Sequence, residues 1–132
     1  LQWLYYDELF ADIENIITFD NWDQCLLTVL EKIYQEKDFY ISTINTNEQY
    51  FYHDLYNLAQ KCFYDAITKL DVNKTVSPQE KNFFSEFYAY GIAGTVLRWI
   101  KTNMKNEPAK LAHGLKKIAT QSETFAASLL NN

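Results

Sequence analysis

Few side chains in this sequence could act chemically. His53 and His113 are the only histidines, and Cys25 and Cys62 the only cysteines. His53 and Asp54 are neighbours, but adjacent residues on a helix point to different faces and make a poor acid–base dyad. Asp7, Glu8 and Asp12 read more simply as a solvated face. His113 reads as a surface residue. No HExxH, CxxC or GxSxG pattern and no phosphate-binding glycine loop occurs. The two cysteines lack metal-ligand spacing and read as free, mostly buried thiols of a cytoplasmic protein. The expectation is no catalytic residue, no metal, no cofactor and no enzymatic activity.

Aromatic surface is abundant by contrast. The chain carries ten tyrosines, nine phenylalanines and three tryptophans. Tyrosine joins apolar area to a polar tip, which suits a pocket for an amphipathic small molecule. Tyr56, Tyr64 and Tyr88 fall on helices expected to be interior and are the pocket candidates. Most of the others read as residues ringing the core with their hydroxyls at the surface.

The elements that must position these residues are helices from end to end. Only three glycines and two prolines in 132 residues, with 48% hydrophobic residues, argue for a single all-α domain and against a turn-rich β fold or disorder. Apolar residues at spacings of three and four predict a helix over 1–17. A second should run from Asn21 to about Glu36, with Asn21 and Gln24 as a capping box. A short helix is expected over 38–44. Another should be opened by Thr46 and Gln49 and run to Leu70, apolar on two faces and therefore buried between neighbours. "SPQE" is the sharpest local signal: Ser77 as cap, Pro78 at the first helical position and Glu80 as the reciprocal partner. The helix it opens should reach about Met104. Pro108 opens a last helix to Leu130. The expected fold is an antiparallel helical bundle of about five to six helices, with residues 1–132 as one domain.

The stretch "FYAYGIAGTVLRWI", Phe87 to Ile100, is apolar enough to raise the question of a membrane span. Glu86 and Arg98 bracket only eleven uncharged positions, and a span needs about 20, so no membrane association is expected. Glycine costs roughly 0.5–1 kcal/mol in a helix interior. Gly91 and Gly94 are therefore expected to mark close approach of another helix. Phe84, Phe87, Gly91, Gly94 and Arg98 follow 3-4 spacing. Leu111, Leu115, Ile118, Ser122, Phe125 and Leu129 form a matching seam. Tyr88, Ile92, Val96 and Trp99 lie on a different face, available for a core or a pocket. Periodicity leaves open whether the two seams pack within one chain or join two copies.

The net charge is −5 and Arg98 is the only arginine, which disfavours duplex DNA or RNA binding by these residues. Charge is unevenly spread, with thirteen acids and four bases up to Asp71, then four acids and eight bases beyond it. Opposite solvated helix faces account for that. No secretory leader is recognisable. The first helix opens without a Ser, Thr, Asp or Asn before it, and the expectation is that a segment precedes Leu1 in the full-length protein.

"FYAYGIAGTVLRWIKTNMKNEPAKLAHGLKKI", Phe87 to Ile118, resembles the carboxy-terminal part of TetR/AcrR-type transcriptional regulators. The resemblance rests on Gly91, Trp99, Lys101, Met104, Pro108, Leu111 and Ala112. "NWDQCLLTVLEKIYQEKDFYISTIN" resembles the branch of dihydroxyacetone kinase operon regulators, and "LQWLYYDEL" resembles the helix leaving the DNA-binding head. The helix-turn-helix head itself is absent here. The resemblance implies an effector-binding and dimerisation domain of a cytoplasmic bacterial regulator, with DNA reached only through that missing head. It implies a homodimer through the last two helices, with Tyr90, Gly91, Gly94, Leu97, Arg98, Leu111, Leu115, Ile118 and Phe125 at the interface. It also implies a pocket for an unidentified small-molecule effector, with Cys62, Ile92 and Trp99 joining the three tyrosines as lining candidates. The other reading is a co-activator or protein-interaction module of the same fold that does not bind DNA.

Overall fold

The computed structural model describes residue 13, residues 16–18 and residues 20–130, with side chains omitted at 123 and from 125 onward. The expected helix over 1–17 and the side chain of Phe125 lie outside the described residues. Within them the chain forms four α-helices: α1 (Trp22–Gln35), α2 (Lys37–Leu70), α3 (Pro78–Lys101) and α4 (Pro108–Leu130). The all-helical expectation holds, but the count of five to six does not.

The missing boundary lies inside α2. The expected short helix and its successor merge into 34 residues, bent at Asn47, where φ is −127° and ψ 26°. Thr46 does not cap a new helix. Its hydroxyl donates back to the Thr43 carbonyl (3.1 Å), a side-chain bond that keeps the turn helical while the backbone bends. Asn21 likewise occupies the cap position of α1 without a capping bond. Its side chain turns backward, accepting from the Thr18 amide (2.7 Å) and donating to the Ile16 carbonyl (2.9 Å).

The start of α3 follows the sequence residue by residue. Ser77 Oγ accepts from the Glu80 amide (3.1 Å) and Glu80 Oε1 from the Ser77 amide (3.0 Å), with Pro78 at the first turn. Just before it, the buried Asp71 carboxylate closes the α2–α3 loop by accepting from the Thr75 and Val76 amides, both at 2.9 Å. The Val76 amide and then the Thr75 contacts hold Asp71 below the ordinary carboxylate pKa against the opposing effect of burial.

This tight loop folds α3 back antiparallel on α2. Successive cross-links show the register: Lys81 over the Tyr64 ring, Gln60 donating to Ser85 (3.0 Å), Tyr56 against Tyr90, and the Lys101–Glu48 ion pair beside the Asn47 bend. At the far end α3 stops in a Schellman turn. Asn103 donates to the Ile100 carbonyl and Met104 to the Trp99 carbonyl (2.8 Å). Asn103 sits at φ 67°, the left-handed conformation such a turn needs and asparagine tolerates better than most residues. The Trp99 indole N–H donates to the Asn106 carbonyl at 2.9 Å and locks the exit. From there α4 packs more closely on α1 and α2 than on α3, with Lys116 paired to Asp23 of α1 (3.0 Å).

The deepest core gathers Leu30, Ile33, Tyr40, Ile44, Phe51, Val96, Ile100 and Met104. It lies where the end of α1, the start of α2 and the end of α3 converge. Each such side chain removed from water contributes roughly 1.5–3 kcal/mol.

Candidate functional site

Of the spaces bounded by the apolar faces of these helices, two together are lined by half of the pocket candidates. The first is a half-open apolar cavity of about 30 Å³ between α1, α2 and α3. Trp22, Cys25, Leu26 and Val29 of α1 form one wall, and Leu55, Leu58, Ala59, Cys62 and Phe63 of α2 another. Ile92 of α3 and Ile13 and Ile17 complete it. Among the described residues, no charged side chain lines it. Both cysteines are buried and free. Burial, then the charge of Asp65, pushes the Cys62 thiol up to about 11. Burial, then Asp23, raises Cys25 as well. Both are therefore protonated, poorly nucleophilic thiols at neutral pH. A space of about 30 Å³ falls far short of the several hundred Å³ of an organic-ligand pocket.

The second is a surface groove of about 450 Å³ between α3 and α4. Phe87, Tyr88, Tyr90, Gly91, Ile92 and Thr95 line it from α3, and Leu115, Ile118 and Ala119 from α4. Tyr88 forms its inner edge, stacked on Phe63 (5.1 Å between centroids, 14°). Tyr90 leans on Tyr56 (4.7 Å), which in turn stacks on Tyr52. Burial and then the bond to Tyr90 raise the Tyr56 hydroxyl to about 12. This aromatic rim is wet. Phe83 is 74% exposed, Phe87 68%, Ile118 61% and Tyr90 56%. Apolar exposure of that extent along one side of a helix is more than isolated surface residues account for.

The pocket candidates are thus divided. Cys62 and Ile92 border the half-open cavity, and Tyr88 and Ile92 border the groove, so Ile92 belongs to both. Tyr56 supports the groove from behind through Tyr90. Tyr64 sits beneath Lys81, and Trp99 is stacked on Tyr34 (6.2 Å) at the α3–α4 turn; neither lines the cavity or the groove. Of the seam residues, Tyr90, Gly91, Leu115 and Ile118 meet at the groove. Leu97 and Leu111 pack against the edge of the core, and Arg98 is exposed.

Gly91 and Gly94 give an informative result. A Cβ added at either would meet no atom within 4 Å among the described residues. Among the described residues, no other helix makes the close approach that their small size would permit. Two features were not assigned to a site in the sequence. Phe83 extends the outward stripe as Phe83, Phe87, Tyr90 and Gly94, a 4-3-4 spacing already present in "NFFSEFYAYGIAG". The α1 wall of the cavity was equally present as Trp22, Cys25, Leu26 and Val29.

Residues 20–121, covering α1, α2, α3 and the first part of α4, match the TetR_C_8 family, described as "Transcriptional regulator C-terminal region". The chain belongs to this family. The four helices and both spaces are therefore features of a transcriptional-regulator C-terminal region, a class associated with dimerisation and with small-molecule effectors. No curated protein shows significant similarity to the chain. None of the described helices is long and apolar enough to cross a membrane.

Proposed function

We propose that this chain is the effector-sensing and dimerisation region of a TetR-like regulator, in the branch of dihydroxyacetone kinase operon regulators, and that it catalyses no reaction. The observation that carries this reading is the outward side of α3, where two glycines with open space above them are set in a row of exposed aromatics. A second copy laid along α3 and α4 would cover Phe83, Phe87, Tyr90 and Ile118 and use the open positions at Gly91 and Gly94. Small residues one turn apart let helix axes come closer than usual. The groove beneath that second copy has the volume of a small-molecule site and an uncharged aromatic lining, which suits a planar, neutral effector seated against Tyr88. Coupling to DNA then follows from differential affinity of the effector for two arrangements of the dimer. DNA contact belongs to another part of the protein, in the cytoplasm. The acidic balance of these residues supports that division.

Sedimentation velocity at micromolar concentration tests the reading, with a dimer as the expected outcome. Gly94→Leu should weaken association at least tenfold, and Tyr88→Ala should alter effector-dependent thermal shifts more than association. A monomer at those concentrations, or unchanged association in Gly94→Leu, would overturn it.

A further inference from the structure

The groove and the half-open cavity have one residue in common, and its position bears on what the groove admits. We propose that the groove takes a neutral aromatic ring with an unbranched alkyl tail, and that Ile92 sets the length of tail it accepts. This rests on the reading of the groove as an effector site. Among the described residues, Ile92 alone lines both the groove of about 450 Å³ and the apolar cavity of about 30 Å³. It is 7% exposed. Its side chain therefore stands inside the bundle, with the α4 wall of the groove to one side and the α1 and α2 walls of the cavity to the other.

The walls select the class of ligand. Among the described residues, no Asp, Glu, Lys, Arg or His lines the groove. A charged ligand would lose its hydration there without gaining a partner. Phe87, Tyr88 and Tyr90 offer ring surfaces on the α3 side, against which another ring can stack or tilt. Phe87 and Tyr90 are more than half exposed, whereas Ile92 is buried. The ring therefore sits at the mouth and the tail points inward. Past Ile92 a tail would meet Leu26 and Val29 of α1 and Leu55 and Leu58 of α2, an aliphatic lining. The cavity is too small to hold a ligand of its own, but it can extend the groove. Beside Ile92 the partition is two rings thick, because Phe63 of the cavity is stacked on Tyr88 of the groove (5.1 Å, 14°). At Ile92 it is one aliphatic side chain thick. A tail reaching inward ends on that side chain, and truncating it joins the two spaces.

Isothermal titration of the chain with a series of 4-alkylphenols, ethyl to heptyl, tests this, since phenols are neutral at pH 7. Affinity should rise about fourfold with each added methylene until the tail meets Ile92, and then stop rising. Ile92→Ala should carry the rise through roughly two further methylenes. Ile92→Val, a one-methyl deletion of small cost to the fold, should move the stop by about one. Val96→Ala truncates the buried side of the same helix at a residue that lines neither space, and should leave the stop where it was. A rise that never stops in the unsubstituted chain, a stop unmoved in both Ile92 variants, or a stop moved equally by Val96→Ala overturns the proposal and leaves the effector-site reading standing. Absence of binding by the whole series overturns the proposal too. Tyr88→Ala should weaken every member of the series at least fivefold. Binding that Tyr88→Ala leaves intact overturns the effector-site reading, and the proposal with it.

Discussion

The two sides of α3 are both apolar, yet the chain treats them differently. Ala89, Ile92, Ala93, Val96, Trp99 and Ile100 face inward and are buried against α2 and the core. Phe83, Phe87 and Tyr90 face outward and remain more than half exposed, with Gly91 and Gly94 beside them. On the inner side, alanines stand where backbone and side chains leave little room. On the outer side glycines stand where room is left over. The low amphipathic contrast of this helix is therefore not a sign of complete burial. One side is satisfied by the chain itself, and the other stays open to solvent among the described residues.

Substitutions on the two sides should separate cleanly. Trp99→Ala is expected to have the largest effect, about 3–5 kcal/mol of destabilisation in urea unfolding, because it empties a buried indole site and removes the bond to the Asn106 carbonyl. A loss under 1 kcal/mol would place Trp99 outside the packed side. Neighbouring positions offer a sharper contrast. Ala93→Leu forces a larger side chain into a fully buried position and should cost about 1–3 kcal/mol. Gly94→Leu, one residue on, should raise monomer stability by roughly 0.5–1 kcal/mol through helix propensity, measured at dilutions where association is negligible. Similar losses in both would mean that the two sides are equally packed. Ser77→Ala should have the smallest effect, about 1 kcal/mol, by removing one half of the capping box while sparing both sides of the helix. If it changed association as much as Gly94→Leu does, the contrast between the sides would fail.

How well each element was legible in the sequence depended on how local its cause is. The α3 start was readable because Ser77, Pro78 and Glu80 settle it among themselves within four residues. Thr46–Gln49 and Asn21–Gln24 offered the same pattern without the result. Thr46 found a carbonyl in its own preceding turn, and Asn21 found partners upstream at Ile16 and Thr18. A pattern shows that a cap is available, and competing partners decide whether it forms. The site was harder to read. Tyr64 and Tyr88 share residue type and expected burial, yet one lies under Lys81 and the other borders the groove. That difference is set by the register of α2 against α3, a long-range property no single helix encodes. The glycines were expected to mark a close approach, and their spacing did identify the outward side. What spacing could not supply was the open space above both glycines among the described residues.

The cavity between α1 and α2 also has a mechanical consequence. Its roughly 30 Å³ is loosely packed apolar space, the kind whose loss contributes to the 20–100 mL/mol by which unfolding typically shrinks a protein's volume. Hydrostatic pressure should therefore act on this chain first through the space between α1 and α2. Trp22 stands at its wall as a built-in optical gauge, and its emission should respond to compression before the Trp99 end of the helix bundle gives way.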